Sequence, residues 1–279
     1  VQLPQIFPPF LFEEVTRHHG VVACEGSMFK SKFAEALSTM MAGALSMASV
    51  EGKLSVGYGA EAGAMSRNLE RFVSRHCRDS LVVCRNEPSR GVLERLGVRT
   101  ASGTDTAWTF EPAPRQVGAR ILERSGWDGK QPVAIFCPIN PFWWPVRPDL
   151  GRAVVRAATG EFATSHYRSI YFHHESSRAD EAFDTYTAAF ANAIRRVRDE
   201  RGVFPVLVGM EQLDRRACDR VVDHLGEDLP MLVSDEYDMY ELVSVLWNAS
   251  CLVSSRYHAM VCSMPGGVPS AGVTMDERI

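Results

Sequence analysis

An arginine and a histidine lie close together where the sequence predicts the start of a helix. The apolar residues 252–253 are followed by two serines, then by Arg256-Tyr257-His258, and then by the apolar residues 259–262. This order predicts a strand, a turn and a short helix. Unpaired N–H groups at a helix start favour an anion, and a guanidinium and an imidazole add to that preference. The segment therefore indicates a phosphate or carboxylate site. The alternative interpretation is an ordinary helix N-terminus that binds no ligand, with the arginine exposed and the histidine packed against the protein.

Polar or glycine residues also follow most of the other predicted strands. In an open parallel α/β sheet the carboxyl ends of the strands meet at one edge, and ligands bind there. With two such sheets, the cleft between two domains is the expected place for a site. The groups at this edge are, in chain order, Glu25-Gly26-Ser27, the glycine-rich loop 57–63, Arg85-Asn86-Glu87, Asp105, Asn140, Glu211, Arg256-Tyr257-His258 and residues 276–278.

Short apolar runs alternate with amphipathic segments along the chain. Runs such as 81–84 and 133–137 predict buried strands, and apolar residues at helical spacing after Ser31 predict a helix. Ser66 is the predicted N-cap of the next helix. This alternation indicates an α/β protein with parallel sheets flanked by helices, arranged as two Rossmann-like domains.

Residues 111–130, with prolines at 112 and 114 and glycines at 118, 126 and 129, interrupt this rhythm, and part of them, 116–130, is predicted to be a linker. It would join an amino-terminal domain, 1–115, to a carboxyl-terminal domain, 131–279. The chain opens at Val1 on a proline-rich segment and stops at Ile279 directly after a predicted strand. We therefore expect residues to be missing at both ends, with the first domain lacking its first strand and the second its terminal helix.

Composition and charge exclude several classes of protein. The formal charge of −4 and the pI near 6.1 argue against a general nucleic-acid binder, which needs a basic face. No apolar run approaches the roughly twenty residues of a membrane span, although a peripheral membrane contact stays open. The seven cysteines form no C-x-x-C pair and lie mostly in apolar runs, which predicts buried thiols in a reducing cytoplasm.

Several cofactor and metal motifs are missing from the sequence. The glycines at 57, 59 and 63 do not fit the G-x-G-x-x-G dinucleotide pattern, and no P-loop occurs. The histidine pairs at 18–19 and 173–174 are adjacent, so their side chains diverge rather than share a metal. No metal and no cofactor are expected. The aromatic segment 142–144 is equally compatible with sugar stacking and with packing.

Taken together, the motifs resemble those of the polysaccharide pyruvyl transferase family. They keep their order and spacing over roughly residues 20–110 and 200–279. The resemblance rests on Glu25-Gly26-Ser27 (G-G-S in the family), Glu51-Gly52-Lys53 with Gly57-Tyr58-Gly59 (G-K-P, then Y-G), Arg85-Asn86-Glu87-Pro88-Ser89 (R-D-E-x-S), Leu96-Gly97-Val98 with Asp105, Arg256-Tyr257-His258-Ala259 (R-x-H-A), and Gly267-Val268-Pro269 with Met275-Asp276-Glu277-Arg278 (G-V-P, then Y-D-x-K). The sequence departs from the family at Cys24-Glu25, Asn86, Met275 and Arg278, where glycines, Asp, Tyr and Lys are usual.

This resemblance implies a fold like that of the GT-B glycosyltransferases and the transfer of a pyruvyl group from phosphoenolpyruvate to two sugar hydroxyls, as a ketal. By the residue-by-residue match, Arg85, Arg256 and Arg278 would bind the donor, because arginine suits oxyanions. His258 would act as acid or base near neutral pH, with Glu87 and Glu25 as weaker alternatives. The remaining predicted substrate-binding residues are Gly26, Ser27, Asn86, Asp105 and Asn140.

The acceptor implied by the resemblance is a sugar or a lipid-linked oligosaccharide used to make exopolysaccharide or cell-wall polysaccharide. Two other functions fit the same architecture. One is a nucleotide-sugar glycosyltransferase or epimerase. The other is a non-catalytic ligand-binding protein, which the departures at Glu25 and Asn86 would favour.

Overall fold

The structure, a computed structural model, describes residues 8–24, 26–32, 34–161 and 170–273, which form two compact units. The described residues of the first unit are 8–106 without 25 and 33, together with 144–161 and 170–174. Those of the second unit are 107–143 and 175–273. The predicted domains, 1–115 and 131–279 with a linker at 116–130, stay predictions, as does the GT-B arrangement.

The first unit is organised around four parallel strands whose order in the sheet follows the chain, β1-β2-β3-β4. Serine and asparagine caps begin two of its helices: Ser66 Oγ accepts a hydrogen bond from the Leu69 N–H (3.2 Å), as predicted. The strands are Gly20–Ala23 (β1), Leu54–Ala60 (β2), Leu81–Cys84 (β3) and Arg99–Ser102 (β4), and the helices are Pro8–Arg17 (α1), Glu35–Val50 (α2), Arg67–His76 (α3) and Glu87–Arg95 (α4).

One face of this sheet carries the core of the first unit. Val82 and Cys84 of β3 are fully buried there against Leu45 of α2, Leu69 of α3 and Leu93 of α4. Right-handed crossovers between strands that follow one another in the sheet place their helices on a single face, which explains this packing. A separate part of the unit contains the antiparallel pair Arg147–Pro148 (β6) and Tyr171–Phe172 (β7) and the helix Leu150–Thr159 (α6).

The second unit contains a five-stranded parallel sheet in the order β11-β10-β5-β8-β9. From the central β5 the chain moves outward through β8 and β9, and then crosses to β10 and β11 on the other side. The change of direction falls between β5 and β10, where open α/β sheets bind ligands. The strands are Val133–Cys137 (β5), Phe204–Gly209 (β8), Met231–Val233 (β9), Cys251–Ser254 (β10) and Ser270–Gly272 (β11), and the helices are Arg115–Arg124 (α5), Ser177–Arg201 (α7), Arg215–Leu225 (α8), Met239–Leu246 (α9) and Tyr257–Ser263 (α10).

Helices α5 and α9 approach each other very closely at one point. A Cβ atom on Gly118 would lie 2.4 Å from the backbone of Ser244, and the Gly118 N–H donates a hydrogen bond to Ser244 Oγ (2.9 Å). Ile121 and Leu122 of α5 are buried in the same core as the apolar side of α9. A side chain at position 118 would therefore separate the two helices.

The α/β class with parallel sheets flanked by helices is confirmed. All seven cysteines carry free thiols, five of them buried as predicted, while Cys251 is half-buried and Cys24 is exposed. Burial raises the pKa of the Cys77 thiol to about 12. None of the helices that the structure describes combines the length and apolar character needed to cross a membrane.

Candidate functional site

A buried network of charged side chains lies at the carboxyl edge of the first sheet. Lys30 Nζ lies 2.6 Å from Glu61 Oε1, the Arg85 guanidinium contacts the other oxygen of Glu61, and Arg85 Nη1 lies 2.8 Å from Asp105 Oδ2. All four side chains are at least nine-tenths buried. Buried charges are tolerated when they are paired in this way. The network therefore fixes the loops that follow β2, β3 and β4 relative to one another.

Gly26 forms one wall of this network. Its carbonyl accepts a hydrogen bond from the Glu61 N–H (2.6 Å), and a Cβ atom built on Gly26 would lie 2.6 Å from Arg85 Nη1. The glycine is thus required for close approach to a guanidinium. Ser27 is half-buried in the same turn.

Asn86 and Glu87 occupy a different environment from Arg85, although they follow it directly. Asn86 is the N-cap of α4, because its Oδ1 accepts a hydrogen bond from the Ser89 N–H (2.9 Å). The side chain of Glu87 is 71% exposed, and its Oε1 accepts hydrogen bonds from Ser102 Oγ (3.0 Å) and Arg90 Nη1 (3.2 Å). Both side chains therefore point away from the buried network.

A second charged cluster lies at the carboxyl edge of the second sheet. Arg256, the residue before α10, contacts Asp214 through both Nε (3.2 Å to Oδ2) and Nη2. The same Nη2 lies 3.2 Å from Glu211 Oε2. The side chain of Asp214 is 2% exposed, whereas those of Arg256 and Glu211 are 22% and 43% exposed. The buried Asp214 carboxylate thus holds the Arg256 guanidinium in place, and part of the guanidinium stays accessible to solvent.

Asp214 is oriented by the turn in which it lies. It ends the 3₁₀ turn Gln212–Asp214, and its Oδ2 accepts a hydrogen bond from the Glu211 N–H (3.1 Å), which makes a capping box with Glu211. Burial raises the pKa of this carboxyl, and the neighbouring Arg256 opposes the rise.

A half-buried tyrosine links β5, α7 and β10 beside this cluster. The Tyr186 hydroxyl donates to Ser255 Oγ (2.8 Å) and accepts from the Ile139 N–H (3.2 Å). Burial raises the pKa of Tyr186 to about 12, so its proton is retained at neutral pH. Asn140 is also buried here, and its Oδ1 accepts a hydrogen bond from the Phe142 N–H (3.0 Å). The crevice between β5 and β10 is therefore lined by ordered polar groups.

His258 lies in the first turn of α10, two residues beyond Arg256, and its side chain is exposed. Its ring meets the ring of Tyr257 edge-on, with centroids 5.2 Å apart. The turn before it is fixed by Ser254, whose Oγ accepts from the Arg256 N–H (2.9 Å) and donates to the Arg256 carbonyl (2.9 Å). The predicted strand-turn-helix order is confirmed, and it presents an imidazole to solvent next to a held guanidinium.

The predicted site residues thus fall into two groups, one in each unit. Gly26, Arg85 and Asp105 come together in the first, and Arg256, His258 and Asn140 follow the two central strands of the second. Glu25 and Arg278 lie outside the described residues. The roles assigned to all of these residues stay predictions.

Sequence reasoning missed three residues that hold these groups in place, Lys30, Asp214 and Tyr186, and it placed Glu61 in the loop 57–63 without assigning it a role. The only available signal was a charged residue in an apolar stretch, as at Lys30 between Phe29 and the start of α2.

The aromatic segment after β5 is largely packed. Trp143 is 7% exposed and has the Arg216 guanidinium over its ring at 5.8 Å from the ring centroid. Trp144 meets the buried His173 edge-on at 5.3 Å. These contacts favour packing over sugar stacking. Within the described ranges, no three His, Cys, Asp or Glu side chains are grouped as ligands of a metal ion.

Comparison with known protein families gives a match over most of the chain. The sequence profile of the family described as polysaccharide pyruvyl transferase matches residues 52–277, which include β2–β4, the Arg256–His258 turn and Asp214. No curated protein sequence matches the chain. The family indicates a polysaccharide pyruvyl transferase activity and implies a polysaccharide acceptor. On a match that covers most of its 279 residues, the chain belongs to the polysaccharide pyruvyl transferase family.

Proposed function

We propose that this protein transfers a pyruvyl group from phosphoenolpyruvate to a pair of hydroxyls on a sugar of its acceptor, and so forms a ketal. The observation that carries the proposal is the position of Arg256. It lies at the change of strand direction in the second sheet, is held by Asp214, and is two residues from an exposed imidazole. Family membership supports the reaction class. Cytoplasmic location and the use of no cofactor besides the donor belong to the same proposal.

The proposed donor suits the charge of this crevice. Phosphoenolpyruvate carries a phosphate and a carboxylate, and arginine binds oxyanions through two parallel N–H groups. Asp214 keeps the guanidinium in place, while Glu211 lies on the exposed side, where an anionic group of the donor would exchange for its carboxylate. Arg278 is the second proposed cation. The predicted role of Arg85 in donor binding stays a prediction, because that side chain is buried among carboxylates.

The chemistry requires movement of two protons. The first sugar hydroxyl adds its oxygen to C2 of the donor, and a proton reaches the methylene carbon, which becomes a methyl group. The second hydroxyl then displaces phosphate from C2, and its proton leaves with the phosphate. We assign the proton transfer between the first hydroxyl and the methylene carbon to His258, since an imidazole exchanges protons near neutral pH.

The test compares donor binding and turnover. In wild-type protein, phosphoenolpyruvate should bind by calorimetry and raise the melting temperature, whereas nucleotide sugars should not. His258→Ala should lower acceptor-dependent phosphate release by at least about 100-fold with donor affinity kept. Arg256→Ala and Arg278→Ala should each weaken donor binding by about tenfold or more, in line with roughly 1.5–3 kcal/mol for a charge-assisted hydrogen bond.

His174→Ala is the matched control, because His174 is also an exposed histidine. Turnover of His258→Ala equal to that of the control would remove His258 from the mechanism. A melting temperature that responds to nucleotide sugars and not to phosphoenolpyruvate would support a glycosyltransferase or epimerase instead. Donor binding without turnover across a panel of acceptors would support a binding protein.

A further inference from the structure

A row of arginines runs along the exposed side of α3 in the first unit. Arg67, Arg71 and Arg75 are spaced by four residues and so lie on one side of the helix, and Arg78 follows in the turn after it. All four are exposed. At about 1.5 Å rise per residue, the helical part of the row is about 12 Å long.

The row keeps a net positive charge, because its four arginines outnumber Glu70, the acidic residue that lines the same groove. Counted over the described residues, none of the four arginines makes an ion pair. Arg71 donates to the Arg67 carbonyl (3.1 Å) and to Asn68 Oδ1 (2.6 Å), and Arg78 donates to the Ser74 carbonyl (2.8 Å). These hydrogen bonds fix where the guanidiniums lie without neutralising them. In the other described helices, by contrast, half of the arginines are ion-paired with a described carboxylate, as Arg90 is with Glu94.

An open groove of about 430 Å³ lies along the row. It is lined by Glu70, Arg71, Ser74, Arg75, Arg78 and Leu96. No exposed large apolar side chain is among these residues, so the groove offers nothing to insert into a membrane. The net charge of −4 on the whole chain disfavours general binding of nucleic acid. A concave strip of guanidiniums fits a linear polymer that carries carboxylates, which arginine binds in bidentate fashion.

We propose that Arg67, Arg71, Arg75 and Arg78 form a docking surface for a carboxylate-bearing polysaccharide. The inference rests on the proposed function in one respect, that the polymer is a carbohydrate. Each pyruvyl ketal keeps its carboxylate, so a chain that has received several becomes a polyanion of this kind. Docking on α3 would hold a partly modified chain on the protein between successive transfers.

The experiment is native affinity electrophoresis in gels that contain polygalacturonate or neutral dextran. The variant is Arg71→Glu with Arg75→Glu. Its matched control is Arg120→Glu with Arg124→Glu on α5, where two exposed arginines have the same spacing and the change in net charge is equal. Wild-type protein and the control should be retarded by polygalacturonate and not by dextran. The variant should need at least about tenfold more polymer for the same retardation, and added salt should weaken the retardation of the wild type.

Equal losses in the two double variants, or no retardation of the wild type, would overturn the proposal. Tighter binding to single-stranded DNA or to anionic phospholipid vesicles than to polygalacturonate would also overturn it. Circular dichroism checks folding, and Arg71→Gln with Arg75→Gln, compared with Arg120→Gln and Arg124→Gln, serves if charge reversal prevents folding. No donor is present in this assay. If wild-type protein responds to phosphoenolpyruvate but is not retarded by the polymer, only the docking proposal is wrong. If it is retarded by the polymer but does not respond to phosphoenolpyruvate, only the proposed function is wrong.

Discussion

Arg85 and Arg256 each follow a parallel strand and each meet two carboxylates, yet their surroundings differ. The side chain of Arg85 is 3% exposed, both of its partners are 5% exposed, and Lys30 adds a second positive charge to the group. Among the described side chains, that network is balanced in charge and buried. Arg256 is 22% exposed, and one of its two partners, Glu211, is 43% exposed.

The contrast shows how the same residue types serve two purposes. Removing one member of a buried, balanced network leaves a buried charge without compensation, so the cost appears in folding. Removing an exposed member of a cluster, such as Glu211, costs little, because water replaces it. The first network is therefore expected to hold loops in place, and the second to bind a ligand.

The largest expected effect comes from removing the central carboxylate of the first network. Glu61→Gln should lower the free energy of unfolding by about 3–5 kcal/mol, because Lys30 and Arg85 both lose a buried partner. Glu211→Gln, the corresponding change in the second cluster, should change it by about 1 kcal/mol or less. Urea unfolding followed by tryptophan fluorescence measures both values. Equal effects of the two changes would break the comparison.

A smaller effect is expected from adding one methyl group to the wall of the first network. Gly26→Ala should destabilise by about 1–3 kcal/mol, since the new carbon would lie 2.6 Å from a guanidinium that Glu61 and Asp105 hold in place. Gly43→Ala on α2 is the control. Its nearest contact would be 3.9 Å away, and alanine should stabilise that helix by up to about 1 kcal/mol. A tolerated Gly26→Ala would show that Arg85 is mobile rather than held.

The smallest effect concerns pH and separates Asp214 from an exposed ion pair. Burial raises the pKa of Asp214 above 3.8, so its contribution to stability is present below pH 3.8 and is lost as the pH rises through the raised pKa. The hydrogen bond from Arg215 lowers the pKa of Asp235, so that contribution is present above pH 3.8 and is lost as the pH falls through the lowered pKa.

Unfolding of the wild type, Asp214→Asn and Asp235→Asn over a range of pH tests this difference. The free energy of unfolding of the wild type, minus that of Asp214→Asn, should decrease as the pH is raised. The same difference taken with Asp235→Asn should decrease as the pH is lowered. Two slopes of the same sign would show that Asp214 is more hydrated than its burial indicates.

Much of the fold follows from local patterns in the sequence. The helix start at Ser66, the strands at 81–84 and 133–137, and the turn that carries Arg256 depend on periodicity, capping and chain order, which act over a few residues. The helices α5 and α6 were missed. Prolines before α5 and glycines in and after it led the sequence analysis to assign this helix mainly to a linker. Helix α6 has no buried residue, so it shows no core-facing pattern.

The partners of the site residues could not be predicted in the same way. Lys30 and Glu61 are 31 positions apart, and Asp214 and Arg256 are 42 apart. They meet because the parallel pairing of the strands brings the loops that follow them to the same edge of each sheet. Such contacts depend on tertiary packing. A carboxylate in a loop carries no mark in the sequence that tells whether it will be buried against a cation or exposed.

The contact between Gly118 and Ser244 has a consequence for dissecting the molecule. Helix α5 packs on α9 so closely that not even one carbon atom fits between Gly118 and Ser244. Removing α5 from the second unit would therefore expose the side of α9 that it covers. A fragment meant to carry that unit alone has to start ahead of Arg115. A fragment that starts after Arg115 would expose the apolar side of α9 to water and would be prone to aggregate.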